Sequence, residues 1–124
     1  MNKILADTSV WVEHFRAGVP RLAQLLEAGQ ILMHPFIVGE LACGHLARRE
    51  QTLQLLQRLQ GAAVAGDQEV LGFIQQRRLF GRGLGFVDAH LLASAAISGC
   101  WLWTRDQALA KAAADLKLSA GLDS

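Results

Sequence analysis

The sequence predicts an α/β fold: a three-layer α/β/α sandwich around a short, mostly parallel sheet of four to five strands. Three observations lead there. Short apolar runs alternate along the chain with longer stretches whose apolar residues recur at helical spacing. The runs end in residues that open a helix, as in Ala6-Asp7-Thr8-Ser9 and Trp103-Thr104-Arg105-Asp106. The runs are apolar throughout rather than alternating, as parallel strands covered on both faces are. With 124 residues, 52% of them hydrophobic, and no linker or repeat, residues 1–124 read as a single domain.

Residues 3–6 form the first strand, closed by Asp7-Thr8-Ser9 as a helix start. Val10, Trp11, Val12 and Phe15 then make a helical stripe that ends near Gly18. Pro20 opens a second helix with Leu22, Leu25 and Leu26 on one face and Gly29 as its stop. Residues 30–33 read as a strand. Pro35 opens a longer helix carrying Phe36, Ile37, Leu41 and Leu46, interrupted at Arg48-Arg49-Glu50. Leu53, Leu55, Leu56 and Leu59 carry another helix to Gly61, and residues 62–65 are a weak strand. Asp67 is the expected N-cap of the next helix, with Glu69 in its first turn and an end near Leu79. After the glycine-rich loop Phe80-Gly81-Arg82-Gly83-Leu84-Gly85, a helix begins near Val87 and stops at Gly99. Residues 100–103 make a buried strand. Thr104 and Gln107 fit a capping box for a last helix over 106–114, and residues 116–119 are a final short strand.

Composition excludes several classes. The hydrophobic content and the formal net charge of +1 are those of a folded chain, not a disordered one. The longest stretch without a charged residue, from Ala89 to Thr104, contains His90, Ser94, Ser98 and Gly99 and falls short of the roughly 20 apolar residues of a membrane span. Asp7 ends the N-terminal apolar run too early for a secretory signal, so a cytoplasmic protein is expected. Cys43 and Cys100 stand in apolar settings and read as free buried thiols, and the four histidines lack the company of a zinc site.

Most acids lie among polar or loop neighbours: Glu27, Glu50, Asp67, Glu69, Asp115 and Asp123, with Glu13 beside His14 and Arg16. Four do not. Asp7 ends Ile-Leu-Ala, Glu40 sits in Phe-Ile-Val-Gly-Glu-Leu-Ala-Cys, Asp88 in Leu-Gly-Phe-Val-Asp-Ala-His, and Asp106 follows Trp-Leu-Trp-Thr-Arg. Taken singly, each has an ordinary role open to it: helix cap for Asp7 or Asp106, first-turn acid for Asp88, surface partner of Arg48 or Arg49 for Glu40. Jointly they point elsewhere. Asp7 and Asp106 follow strands of one parallel sheet, Asp88 opens a helix at the same edge, and Glu40 can reach inward. Ligands bind beyond the carboxyl ends of such strands. Buried carboxylates that share a pocket repel unless a cation is present, and hard oxygen ligands suit Mg²⁺ or Mn²⁺.

Setting those four acids aside leaves twelve basic residues against seven acids, a formal +5 outside the pocket. Nine of the twelve are arginine, which grips phosphate with two parallel hydrogen bonds. Arg77, Arg78 and Arg82 cluster before Asp88, Arg105 follows Thr104, and Arg48 and Arg49 form a second group. His14, His34 and His90 read as packed or exposed side chains, not catalytic bases.

Asp7-Thr8-Ser9-Val10-Trp11, Glu40 about 33 residues later, Asp88 opening a helix and Thr104-Arg105-Asp106 after a strand resemble a PIN domain, and more narrowly the VapC-type toxins of bacterial toxin–antitoxin pairs. The resemblance covers nearly the whole chain. It implies a Mg²⁺- or Mn²⁺-dependent endoribonuclease with Asp7, Glu40, Asp88 and Asp106 around the metal and Thr8, Ser9 and Thr104 as supporting hydroxyls. It implies an RNA substrate, a homodimer and a cognate VapB-type antitoxin. On their charge and clustering, Arg77, Arg78, Arg82 and Arg105 are candidate contacts for the RNA phosphates, with a solvated helix face as the alternative for the clustered ones. No clear fifth acid stands near Asp106, although some relatives carry one. Two rivals are weighed. A Mg²⁺-dependent phosphatase of the aspartyl-phosphate type wants a second Asp where Ser9 stands. A non-catalytic PIN-like RNA-binding module would need none of the four acids.

Overall fold

The computed structural model describes residues 2–122. Three strands, β1 (Ile4–Ala6), β2 (Ile31–Leu32) and β3 (Trp101–Trp103), form a parallel sheet in the order β2-β1-β3. Seven helices connect or follow them among the described residues: α1 (Thr8–Ala17), α2 (Pro20–Glu27), α3 (Pro35–Cys43), α4 (Arg49–Arg58), α5 (Asp67–Arg77), α6 (Phe86–Ser98) and α7 (Gln107–Asp115). All three residues of β1 are buried, so helices cover both faces of the central strand. No helix among the described residues is long and apolar enough to cross a membrane.

The sheet has three strands where four to five are expected. The weak strands at 62–65 and 116–119 shrink to single parallel bridges, Met33 with Gly61 and Leu102 with Ser119, one on each edge. Each bridge is held by two backbone bonds, such as Met33 N to Gln60 O and Ala62 N to Met33 O, both 2.8 Å. Beyond Gly61 no further pairing with β2 forms among the described residues, and Val64 is exposed while Ala62 and Ala65 pack inward.

Side chains at the helix ends account for other departures. α3 stops at Cys43, before Leu46, because Gly44 is extended and Arg49 donates to the last carbonyls, Ala42 O at 2.5 Å and Gly44 O at 3.3 Å. Arg49 is thus bound to α3, and Arg48 sits in the left-handed region at φ 49° ahead of α4. Gly66, not Asp67, caps α5, and Glu69 Oε1 accepts from the Gly66 N–H at 2.9 Å. Asp106, not Thr104, caps α7, accepting from Leu109 N at 3.1 Å. Cys43 is exposed while Cys100 is buried, because α3 turns only its Ile37 and Leu41 side inward. Asp123 lies outside the described residues.

The register decides where the chemistry falls. Ala6 pairs with Trp103, so the next residues, Asp7 and Thr104, leave the sheet side by side. Leu5, fully buried on the central strand, lies between Leu32 and Leu102. Leu5→Ala should therefore cost about 2–5 kcal/mol. Urea unfolding should show a lower midpoint at unchanged slope, and a loss below about 1 kcal/mol would mean the strand is not the packing centre.

Candidate active site at the carboxyl edge of the sheet

Asp7 is buried at the end of β1 and caps α1. Its Oδ1 accepts from Ser9 N at 3.0 Å and from Ser9 Oγ at 2.5 Å, and its Oδ2 accepts from Thr104 Oγ1 at 2.6 Å. Each hydroxyl has one proton to give, and both protons go to Asp7. Their lone pairs take backbone donors in turn: Ser9 Oγ accepts from Arg105 N at 2.9 Å, and Thr104 Oγ1 from Asp106 N at 3.0 Å. Thr104 therefore serves Asp7, which is why it does not cap α7.

The other acids surround this group from three helices. Asp88 sits in the first turn of α6, half-buried, with Oδ2 accepting from Gly85 N at 2.9 Å. Glu40, past the first turn of α3, accepts from Thr8 Oγ1 at 2.5 Å, a bond that ties α1 to α3. Glu40 and Asp106 are exposed, so of the four acids only Asp7 is fully buried. Glu40 takes Thr8 as its partner, not Arg48 or Arg49.

The electrostatics show the convergence. Burial raises the Asp7 carboxyl above its ordinary value, and the hydrogen bonds from Ser9 and Thr104 partly offset it. Burial also raises Asp88. The Gly85 bond opposes that, and the negative charges of Asp106 and Glu40 add to it. Asp88 thus feels the charges of Asp106 and Glu40 from the two neighbouring helices. As the side chains stand, no three of the described His, Cys, Asp or Glu groups are arranged to hold one ion. The donor set still fits a hard cation, with oxygen ligands only. Glu40, Asp88 and Asp106 each have one oxygen engaged by a protein donor and a second available, and at Asp7, where both oxygens accept, Oδ2 takes a single bond and keeps a lone pair.

The arginines divide. Arg105 is joined to the site through its own backbone N–H. Arg82 pairs with Asp115 at 2.7 Å, joining the glycine-rich loop to the end of α7. Arg77 lies over the Phe73 ring, 5.5 Å from its centroid, and Arg78 adopts the left-handed conformation after α5. Sequence reasoning missed an aromatic cluster beside the acids. His90, buried, meets Phe86 at 4.7 Å and Phe36 at 4.6 Å between centroids, and its Nε2 lies 3.0 Å from Asp67 Oδ1. The four-residue spacing of Phe86 and His90 is the signal that could have found it.

A family model described as PIN domain matches residues 4–115. The chain is 48% identical over 113 residues to Ribonuclease VapC32 of two Mycobacterium tuberculosis strains, covering 90% of this chain and 91% of theirs. Among solved structures it is similar to PAE2754 from Pyrobaculum aerophilum, with TM-score 0.60 at 19% identity, covering 90% of this chain and 79% of that one.

Because Asp88 binds its proton more tightly folded than unfolded, its stabilising share is full below pH 3.8 and is lost as pH rises through the folded value. Asp88→Asn removes that loss. In chelator-treated buffer its urea midpoint should exceed the wild type's at pH 7, and the difference should vanish near pH 3. A variant no more stable at pH 7 would show that the repulsion does not act.

Proposed function

The chain belongs to the PIN-domain family, and from that premise we propose that it is the toxin of a toxin–antitoxin pair, an endoribonuclease that hydrolyses RNA phosphodiesters. One observation carries the reading: four carboxylates gather at the carboxyl edge of the sheet in a chain 48% identical to a ribonuclease. Mg²⁺ is the cation we assign, with Mn²⁺ as substitute. Asp7 and Asp88 would be its direct ligands, and Glu40 and Asp106 would ligate it or orient its water. The ion supplies a water nucleophile at neutral pH and counter-charge for the phosphate.

The protein's own groups do the rest. Ser9 and Thr104 lock the Asp7 carboxylate, so a ligand oxygen is in place before metal or RNA arrives. The Thr8 bond holds Glu40 toward α1. Arg105 stands beside the site to take a phosphate oxygen. Arg77, Arg78 and Arg82 would contact the RNA backbone further along, Arg82 after releasing Asp115. A VapB-type antitoxin, a homodimer and a cytoplasmic setting belong to the same reading.

Purified protein, free of antitoxin, should cleave structured RNA with Mg²⁺ or Mn²⁺ and not with EDTA. Thr104→Val, which leaves Asp7 Oδ2 without its donor, should lower the rate about 10- to 100-fold, and Asp7→Asn should lower it further. Equal cleavage by wild type and Asp7→Asn would remove the site assignment. Metal-independent RNA binding without cleavage, equal in both proteins, would put the binding module first.

Mg²⁺ should also raise the wild-type melting temperature progressively above its dissociation constant, and Asp88→Asn should abolish that rise. A rise equal in both proteins would place the ion elsewhere.

A further inference from the structure

We propose that Phe86, backed by His90, which Phe36 packs against in turn, is a stacking platform for an unpaired nucleobase of the RNA next to the cleaved phosphate. The inference rests on the ribonuclease reading and names how that site grips its substrate.

Phe86 is the first residue of α6 and is 44% exposed, although nothing in the first turn of a helix calls for a large apolar side chain. Its ring is not free to swing. It stands edge-on to His90, with 4.7 Å between centroids and 87° between planes. His90 is 1% exposed and is held in turn by Phe36 at 4.6 Å and by Asp67. Behind them His34, fully buried, meets Phe36 at 5.1 Å. Exposed aromatic surface on a packed backing is what base stacking needs, because little side-chain entropy is lost on binding.

The location matches. Asp88 stands two residues after Phe86 on α6, and its carboxylate folds back over the helix start to accept from Gly85 N, the residue before Phe86, at 2.9 Å. Glu40 follows Phe36 by four on α3, so Phe36 and Glu40 share one face of that helix, one turn apart. The shelf and two of the four acids, Glu40 and Asp88, are therefore carried by the same two helices. A phosphate at the carboxylates would place a neighbouring base within reach of Phe86. Single-stranded RNA is gripped in this way through bases splayed onto aromatic side chains. Stacking on a phenyl face tolerates any base, so the platform adds affinity without a sequence code of its own.

The test compares Phe86→Leu with Phe86→Trp. Leucine still covers His90 but has no π-face, and tryptophan restores one. Melting temperatures and circular dichroism establish that both are folded. Affinity for a single-stranded oligoribonucleotide of mixed sequence is measured in the Asp7→Asn background, where cleavage does not interfere. The expected result is about tenfold weaker binding for Phe86→Leu and near wild-type binding for Phe86→Trp. With Asp7 intact, KM should rise by a similar factor for Phe86→Leu while kcat stays within about twofold.

Unchanged binding by Phe86→Leu would overturn the platform. So would a Phe86→Trp variant as weak as Phe86→Leu, or a fall in kcat alone. The two readings fail separately. Absent metal-dependent cleavage by wild type would end the ribonuclease reading, whereas cleavage with Phe86-independent binding would end only this one.

Discussion

The Asp7 carboxylate, buried between two hydroxyls, is the constraint on which the site depends. Ser9 belongs to α1, and Thr104 to the turn between β3 and α7, 97 residues beyond Asp7 in the chain. Both spend their only proton on Asp7, and both accept a backbone N–H from the segment that starts α7. One carboxylate therefore holds together the end of the central strand, the start of the first helix and the turn after β3. The parallel register of β1 with β3 makes this possible by bringing Asp7 and Thr104 out of the sheet as neighbours.

Around that fixed point the protein places charge where it is costly. Burial and the fields of Asp106 and Glu40 raise Asp88, and burial raises Asp7. Neither has an arginine or lysine hydrogen-bonded to it among the described residues, and the donors they do have are hydroxyls and backbone amides. Hydroxyls and amides orient a carboxylate without cancelling its charge, which leaves the cluster suited to a cation.

The histidines serve the opposite purpose. His34 is fully buried and caps α3 by accepting from Phe36 N at 3.0 Å. Burial, with His90 nearby, pushes its pKa down to about 4, so it is neutral at physiological pH. It packs as an aromatic ring, and with Phe36, Phe86 and His90 it fixes α3 against α6. The acid-bearing turns of those two helices inherit that rigidity.

Much of this was legible in the sequence because it is local. Apolar runs, Pro35, Gly18, Gly99 and the helix-opening polar residues mark out elements by spacing and backbone preference alone, and they place Asp7, Asp88 and Asp106 at element boundaries. Partnership and burial were not legible. Thr104 reads as a helix cap until β3 is laid beside β1 and Asp7 takes its proton. Arg49 reads as one of a basic pair until the end of α3 offers it two carbonyls. Residues 62–65 and 116–119 read as strands until the sheet edges supply only one pairing each. Glu40 and Asp106 look buried by their apolar neighbours, yet their helices turn them to the exposed rim. The chain by itself determined the order of elements and which acids stand at their ends, since those follow from preferences a few residues long. Only the tertiary structure decided which acid is buried, which hydroxyls hold it and which aromatic rings back the site, because each of those contacts joins residues brought together by packing across the sheet.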